Sequence, residues 1–184
     1  MNVHQGLYGP VSDNIWQKAK KIKLLICDVD GVFSDGRIYL SNAGEETKAF
    51  HTRDGYGVRS LLSSDIAVAV ITGRKSQIVE NRMTALGVTH IYQGIDDKFV
   101  PFKALLESYQ VTPDEVAYIG DDMVDLPVMK AVGLSVCVAD GHPYVMKHCD
   151  MTTSINGGHG ALRELTDLIL LSQGKLESAH GMSI

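Results

Sequence analysis

Residues 22–36 read Ile-Lys-Leu-Leu-Ile-Cys-Asp-Val-Asp-Gly-Val-Phe-Ser-Asp-Gly, and this stretch decides the predicted fold. Its apolar run ends at Cys27 and passes directly into Asp28, Asp30 and a glycine. A short apolar run bounded by turn-forming residues is typical of a strand buried on both faces of a sheet. We therefore interpret residues 22–27 as the first strand of a parallel sheet. The acidic residues then lie at the edge where such sheets bind ligands.

The rest of the chain repeats this alternation of strand and helix. Further strands are predicted at 67–71, 90–92, 116–119 and 134–138, with helices at 57–64, 76–86, 99–109, 123–132 and 161–171. A helix is also expected to begin at His142-Pro143, because proline suits the first helical position. The pattern predicts an α/β fold, namely a Rossmann-like, mainly parallel sheet with helices on both faces, in one domain over residues 1–184.

Three segments stand outside this alternation. Residues 37–51 have the pattern of a β-hairpin, which we expect to project after the first strand as a flap. Residues 1–10 are polar and contain glycine, so this end is expected to be loose. Residues 174–184 lack apolar periodicity and are predicted to form a flexible C-terminal tail.

Composition restricts the class of protein. The 184 residues are 45% hydrophobic and 21% charged, which is ordinary for a globular chain and rules out a collagen-like or coiled-coil protein. Seventeen basic against 22 acidic residues give a net charge of −5, which argues against nucleic-acid binding. The apolar runs are far shorter than the roughly 20 residues of a membrane span, and three cysteines lack C-x-x-C spacing. We therefore expect no membrane association, no secretory signal and a cytoplasmic location.

Polar side chains follow the predicted strands at their shared edge. Clustered carboxylates repel one another unless a cation neutralises them, and all-oxygen ligands suit Mg²⁺. One carboxylate can attack a phosphoryl group, a second can transfer a proton, and a lysine can offset phosphoryl charge. Each residue alone also fits a turn, a helix cap or a surface role, whereas the set at successive strand ends favours catalysis. The set comprises Asp28, Asp30, Thr72, Arg74, Lys98, Asp121, Asp122 and Asp125.

These residues also carry a family resemblance. The run from Asp28 to Gly36, with Thr72, Lys98 and the sequence Gly-Asp-Asp at 120–122, resembles the four motifs of the haloacid dehalogenase superfamily of phosphohydrolases. The resemblance implies that Asp28 is the nucleophile, which forms an aspartyl-phosphate. It implies that Asp30 is the acid/base and offers its backbone carbonyl to Mg²⁺.

The same resemblance assigns the remaining motif residues. Thr72 and Lys98 are expected to hold the phosphoryl group. Asp121 is expected to complete the metal ligands together with Asp28 and Asp30. Asp122 and Asp125 are secondary candidates, for ordering metal-bound water or Lys98.

Four longer segments, 50–58, 71–74, 138–143 and 157–164, are similar to the 3-deoxy-D-manno-octulosonate 8-phosphate phosphatases. These enzymes belong to lipopolysaccharide sugar synthesis in Gram-negative bacteria. Phe33-Ser34 and Gly141 depart from the Leu-Thr and Ala that they often have, and neither departure touches a reacting group. The resemblance implies a small phosphorylated sugar-acid substrate. The candidate contacts are Asp30, His51, Thr52, Arg53, Asp54, Gly55, Arg59, Arg74, Arg82 and Lys98. His51 and Asp54 either line the sugar pocket or polarise a loop, and Arg53 either binds substrate or pairs with a neighbouring carboxylate.

The resemblance also implies a homotetramer. Only 42 positions separate Asp30 from Thr72, and 26 separate Thr72 from Lys98, so the sequence has no room for the cap domains inserted there in larger family members. The crevice of a lone subunit would stand open to water, which weakens electrostatic interactions inside it. We expect neighbouring subunits to complete one another's sites, and the apolar residues of the flap offer surface that a monomer would not easily hide. The tail either reaches a neighbouring site or is a frayed end.

Other functions fit parts of the pattern. A response-regulator receiver needs its acidic pair after the first strand, and here that pair comes last. A noncatalytic, oligomerising relative would not need an intact set of Asp28, Asp30, Lys98 and Asp121. Among enzymes, a phosphatase of another sugar acid, such as a sialic-acid 9-phosphate, stays open as the alternative.

Overall fold

The structure is a computed structural model that describes residues 3–181, with a six-stranded sheet at its centre. The strands are β1 (Val3–Gly6), β2 (Gly9–Ser12), β3 (Leu24–Cys27), β4 (Tyr39–Leu40), β5 (Glu46–Thr47), β6 (Ala67–Thr72), β7 (His90–Gln93), β8 (Val116–Gly120), β9 (Leu134–Cys137) and β10 (Met151–Thr152). The α-helices are α1 (Asp13–Lys20), α2 (Thr52–Leu62), α3 (Gln77–Leu86), α4 (Phe99–Tyr109), α5 (Leu126–Met129), α6 (Pro143–Met146) and α7 (Ala161–Ser172). Short 3₁₀ turns cover Pro113–Glu115 and Met123–Asp125.

The central sheet has the strand order β10-β9-β8-β3-β6-β7, and its neighbouring strands are parallel. β3 lies between β8 and β6, and the register pairs Cys27 with Ile119 and Val70. The segments that follow these three strands therefore meet at one edge of the sheet. This is the α/β sheet that the sequence predicts.

The sheet separates two apolar cores. Side chains alternate along a strand, so Leu25 and Cys27 pack with α1, α2, α3 and α7, whereas Leu24 and Ile26 pack with α4, α5 and α6. All four side chains are buried, and burial of a large apolar side chain contributes about 1.5–3 kcal/mol. The strand that carries Asp28 is thus fixed from both faces. Among residues 3–181, no helix is long and apolar enough to cross a membrane.

The N-terminal end differs from the loose segment predicted for residues 1–10. β1 and β2 pair as an antiparallel hairpin that leads into α1. His4 stacks on Trp16 of α1, with ring centroids 4.5 Å apart, and its Nε2 lies 2.8 Å from the Asp13 carboxylate. The prediction of a loose N-terminal end was wrong. This hairpin is held by contacts with the following helix, and it lacks the alternation of apolar residues by which a strand is predicted from sequence. Residues 1 and 2 lie outside the described part.

Two helices also differ from their predicted bounds. α2 begins at Thr52, five residues before the predicted start, and includes Gly57. A Cβ at Gly57 would lie 2.3 Å from Thr166 Oγ1, so the glycine allows α2 and α7 to pack closely. The helix predicted at 123–132 is divided into a 3₁₀ turn and the short α5.

The flap, residues 37–51, contains the expected hairpin. β4 and β5 are antiparallel, and the chain turns between Ser41 and Glu45, whose backbones are hydrogen-bonded at 3.0 Å. Ile38 and Leu40 are 54% and 65% exposed. The flap therefore presents apolar surface outwards, as expected for a projecting hairpin.

Part of the predicted tail contacts its own chain. Lys175 Nζ donates a hydrogen bond to the Ser64 carbonyl oxygen at 3.0 Å, and the His180 backbone N–H donates to Ser63 Oγ at 3.3 Å. Ala179 is buried in the core that includes α7. Residues 182–184 lie outside the described part, and a contact of the tail with a neighbouring site stays a prediction.

The loop 157–160 packs against the turn after β3. The Gly158 backbone N–H donates to the Val32 carbonyl oxygen at 2.8 Å. A Cβ at Gly157 would lie 1.6 Å from the Gly31 carbonyl oxygen, so no side chain fits there. This close approach holds the turn that carries Asp30.

We expect Gly157→Ala to displace this turn and to lower the free energy of unfolding by about 1–3 kcal/mol, as overpacking usually does. Thermal unfolding measures the change. Gly73→Ala is the matched control for stability, because a Cβ at Gly73 would lie no closer than 3.7 Å to its nearest neighbour. Equal melting temperatures for the two variants would contradict the expectation.

Candidate active site

Three carboxylates converge where β3 and β8 end. Asp28 follows β3, and its backbone N–H donates to the Ile119 carbonyl oxygen at 3.0 Å, which ties it to β8. Oxygens of Asp28, Asp121 and Asp125 lie within 4.8 Å of one another. Thr72 is the buried last residue of β6, on the other side of β3. The sequence-predicted strand ends are thus brought together.

Lys98 connects two of these carboxylates. Its Nζ donates to Asp28 Oδ1 at 2.7 Å and to Asp125 Oδ1 at 2.8 Å, and its side chain is 3% exposed. The residue immediately precedes α4, so the helix fixes its backbone. Lys98 therefore neutralises charge at the place where Asp28 would meet a phosphoryl group.

Asp125 serves as an acceptor for protein donors. Tyr118 donates its hydroxyl hydrogen to Oδ1 at 2.6 Å, beside the Lys98 contact. The backbone N–H groups of Asp121 and Asp122 donate to Oδ2 at 3.0 and 3.2 Å. Both oxygens are engaged and the residue is fully buried, so Asp125 orders Lys98 and the turn after β8. Of its two suggested roles, ordering metal-bound water or ordering Lys98, the contacts favour the second, which stays a prediction.

Asp122 has a local role. Its Oδ1 accepts a hydrogen bond from the Met123 backbone N–H at 2.7 Å and caps the 3₁₀ turn. The side chain is otherwise exposed to solvent. Its suggested role of ordering water stays a prediction.

Burial and mutual repulsion shape the electrostatics. Desolvation, and secondarily the charge of Asp125, raises the pKa of Asp28 to about 6, although Lys98 opposes the shift. Desolvation together with Asp28, Asp125 and Asp122 raises the pKa of Asp121 to about 8. Burial lowers the pKa of Lys98, but Asp28 and Asp125 more than offset this, so it is raised overall. The site holds more negative charge than Lys98 compensates.

This donor set fits a hard divalent cation. Asp28 and Asp121 offer carboxylate oxygens, which such ions prefer. A Cβ at Gly31 would lie 2.2 Å from Asp121 Oδ2, so the peptide that follows Asp30 lies directly beside that carboxylate. The φ of +95° at Gly31 is also one that favours glycine. The predicted ligands Asp28, Asp30 and Asp121 are therefore neighbours.

The flap adds residues that sequence reasoning missed. The Lys48 ammonium contacts Asp30 Oδ1 and lies 3.5 Å from Glu46 Oε1. Arg74 donates from Nη2 to Glu46 Oε1 at 2.9 Å, and its Nε lies 4.0 Å from Asp30 Oδ2. Arg74 is therefore at the site edge, as predicted. Lys48 and Glu46 gave no motif signal beyond their alternation in a hairpin.

Residues 51–55 form the start of α2. His51 is its cap, and Nδ1 accepts a hydrogen bond from the Arg53 backbone N–H at 3.1 Å. Thr52 and Arg53 are exposed. A Cβ at Gly55 would lie 2.5 Å from a guanidinium nitrogen of Arg82, so Gly55 makes room for that arginine, and a contact of Gly55 with substrate stays a prediction.

Asp54 does not face the crevice. It is 1% exposed, and its Oδ1 accepts a hydrogen bond at 2.8 Å from the Arg163 backbone N–H in the first turn of α7. A carboxylate there complements the helix dipole. Asp54 thus lies at the contact between α2 and α7, and its role as a substrate contact stays a prediction. The loop-like sequence around it gave no sign of this burial.

Arg59 lies at the opposite end of α2. Its Nη1 approaches the Leu86 carbonyl oxygen, 3.5 Å away, at the C-terminal end of α3. That end leads into the start of β7, which is the sheet edge remote from Asp28. Arg59 thus lies outside the crevice of its own subunit, whereas the Arg82 guanidinium lies between α2 and α3 beside Gly55.

We expect Asp54→Asn to change the pH dependence of stability. Burial raises the pKa of Asp54 to about 6 from an ordinary 3.8, so the folded protein retains a proton that the unfolded chain releases. The wild type therefore loses stability as pH rises from about 4 to 6, by up to about 3 kcal/mol. Asparagine keeps an acceptor for the Arg163 N–H but cannot ionise.

The melting temperature of Asp54→Asn minus that of the wild type should accordingly become more positive between pH 4 and pH 7. Differential scanning calorimetry measures this difference. Asp114→Asn, at an exposed position, is the control and should give a difference independent of pH above 5. A pH-independent difference for Asp54→Asn would show that its carboxyl does not titrate as described.

Comparison with known proteins agrees with this geometry. Residues 88–165 match the family of haloacid dehalogenase-like hydrolases. The chain is 58% identical over 177 residues to the 3-deoxy-D-manno-octulosonate 8-phosphate phosphatase of Yersinia pestis, covering 96% of this chain and 95% of that one. The corresponding phosphatase of Escherichia coli K12 is also 58% identical, covering 94% of its length.

Solved structures show the same relationship. A crystal structure of the Yersinia pestis phosphatase superposes with a TM-score of 0.98 at 56% identity, covering 100% of this chain and 99% of that one. The Moraxella catarrhalis phosphatase, solved with magnesium ion, phosphate ion and KDO, has a TM-score of 0.88 at 42% identity, with coverage of 90% and 95%. The chain belongs to the family of 3-deoxy-D-manno-octulosonate 8-phosphate phosphatases, within the haloacid dehalogenase-like hydrolases.

Proposed function

We propose that this protein is a Mg²⁺-dependent phosphatase that hydrolyses 3-deoxy-D-manno-octulosonate 8-phosphate to 3-deoxy-D-manno-octulosonate and phosphate, in lipopolysaccharide sugar synthesis. The observation that carries the proposal is the buried Asp28 carboxylate, held by Lys98 at 2.7 Å beside Asp121. Relatives that are 58% identical to this chain over 177 residues carry that activity in their names. We further propose that residues 1–184 act as one domain without a cap, in the cytoplasm.

Two carboxylates divide the proposed chemistry. An Asp28 oxygen attacks phosphorus and forms an aspartyl-phosphate, while the bond from phosphorus to the sugar oxygen breaks. The electron pair stays on that oxygen, which takes the proton from Asp30. Asp30 then removes a proton from water, which attacks phosphorus and releases phosphate from Asp28.

The remaining site residues bind charge. Lys98 and Thr72 are proposed to hold phosphoryl oxygens from the two sides of β3. Asp28, Asp121 and the Asp30 carbonyl would hold Mg²⁺, which when bound offsets negative charge on the phosphoryl group. Asp28, Thr72 and Lys98 are buried, which keeps their orientation fixed before substrate arrives.

The sugar acid needs further contacts, which the crevice of one subunit supplies only in part. Arg74 lies at its edge, with His51, Thr52 and Arg53 proposed nearby at the start of α2. Arg59 is remote from its own crevice and is proposed, together with Arg82, to bind the sugar carboxylate in a neighbouring subunit of a homotetramer. The exposed apolar side chains of the flap support such an assembly.

We expect Asp28→Asn to lower turnover by at least about 10⁴-fold with the fold intact, because an amide cannot attack phosphorus. Phosphate release from the sugar phosphate, with Mg²⁺ present, measures the loss. Circular dichroism verifies folding, and assays on a sialic-acid 9-phosphate test the alternative substrate. A tenth of wild-type turnover in pure variant protein would exclude Asp28 as the nucleophile.

We expect Mg²⁺ to raise the melting temperature of the wild type by several degrees, because it binds the folded carboxylates and not the unfolded chain. Asp121→Asn should lose most of this increase, since one ligand and its charge are gone. Asp114→Asn, an exposed carboxylate change, should retain it. Thermal unfolding with Mg²⁺ or with a chelator measures the effect; an equal increase in all three proteins would place the ion elsewhere.

We expect Arg59→Ala and Asp28→Asn to complement one another if neighbouring subunits complete each site. Each variant alone should be nearly inactive on the sugar-acid phosphate. Subunits mixed, unfolded and refolded together should regain up to about a quarter of wild-type activity, because a mixed pair can contain one intact site. The control is Arg59→Ala taken alone through the same unfolding and refolding. If assemblies verified to contain both variants regain no activity, the shared site is refuted.

A further inference from the structure

Lys48 lies deep in the flap–site contact, where no motif predicts a functional residue. Its side chain is 1% exposed, although lysine is almost never buried unless its charge is paired. The ammonium contacts Asp30 Oδ1 and lies 3.5 Å from Glu46 Oε1. The position of Lys48 is therefore set by two carboxylates, one of which is the proposed acid/base.

Arg74 closes these contacts into a charge ring of Asp30, Lys48, Glu46 and Arg74. Arg74 Nη2 donates to Glu46 Oε1 at 2.9 Å, and Arg74 Nε lies 4.0 Å from Asp30 Oδ2. Two cations alternate with two anions, so the formal charges of the ring balance. Its members come from the turn after β3, the flap and the loop after β6. The ring thus joins the flap to the acid/base.

We propose that Lys48 is a positioning residue that determines which oxygen of Asp30 exchanges a proton with the leaving group. Lys48 occupies Oδ1. Arg74 Nε, 4.0 Å away, is beyond hydrogen-bond distance of Oδ2, so Oδ2 is the oxygen available to the substrate. When the bond from phosphorus to the sugar oxygen breaks, the proton on Oδ2 passes to that oxygen. Glu46 acts one step further away, by holding Lys48.

This inference rests on the proposed phosphatase function, and leaving-group dependence tests it separately. A sugar alkoxide needs a proton as it leaves, whereas p-nitrophenolate is stable without one. We expect Lys48→Met to lower kcat on the sugar-acid phosphate by about 100-fold, which is typical for loss of a positioned proton donor, and kcat on p-nitrophenyl phosphate by less than about threefold. Lys48→Arg should restore kcat on the sugar phosphate to within about tenfold of wild type, since a guanidinium can also hold Oδ1.

Glu46→Gln provides a second variant should Lys48→Met not fold. It should reproduce the selective loss at about tenfold, because Lys48 then keeps only one of its two charged partners. Glu45→Gln is the matched control, with the same chemical change at the adjacent, exposed position, and should behave as wild type. Circular dichroism and melting temperatures accompany each assay.

The outcomes separate two failures. Equal losses on both substrates, or no loss on either, overturn the role of Lys48, because a purely structural or general electrostatic contribution does not depend on the leaving group. A wild type that hydrolyses neither ester in the presence of Mg²⁺ overturns the proposed phosphatase function instead. A selective loss that Lys48→Arg reverses supports the inference.

Discussion

One buried ammonium holds the site together. Lys98 Nζ lies between Asp28 and Asp125 at 2.7 and 2.8 Å, and all three side chains are buried. Removing one member of such a group leaves an uncompensated buried charge, which is strongly destabilising. Asp125 also accepts hydrogen bonds from the Tyr118 hydroxyl and from two backbone N–H groups of the turn after β8. The geometry of that turn, and with it the place of Asp121, follows from charge compensation.

The negative charges on the two sides of the crevice are compensated to different extents. Compensation is incomplete around the nucleophile and complete around the acid/base. Around the nucleophile, one lysine, Lys98, stands against three carboxylates. The pKa values of Asp28 and Asp121 are raised by burial and, after it, by repulsion from neighbouring carboxylates, which a bound cation would relieve. Around the acid/base, Asp30 lies in a ring whose charges balance. A cation is therefore attracted to the nucleophile carboxylate and not to the side chain of the acid/base, which remains able to exchange a proton.

The local sequence pattern correctly predicted which residues lie at strand ends. It failed for residues whose burial depends on contacts with distant parts of the chain. Asp28 and Thr72 lie within one residue of their strand ends, so the apolar runs placed them correctly before any contact was known. Asp54 and Lys48 could not be placed in this way. A carboxylate near a loop and a lysine in a hairpin are usually exposed, and only the approach of α7 and of Asp30 buries them. Whether Arg59 lies near the site or at the remote edge of the sheet depends on where α2 begins. The predicted helix began at residue 57, five residues too late, so the position of Arg59 could not be inferred from it.

The flap gives the proposed assembly a physical reason. The register of β4 and β5 pairs Leu40 with Glu46, and residues directly opposite each other in an antiparallel pair lie on the same face. Glu46 and Lys48, on the second arm of the hairpin, contact Arg74 and Asp30, whereas Ile38 and Leu40, on the first arm, are largely exposed. A neighbouring subunit that covered these apolar side chains would hold the flap against the charge ring. Assembly would then fix the orientation of Asp30 as well as supply Arg59, so a dissociated subunit would lose proton transfer and sugar-acid binding together.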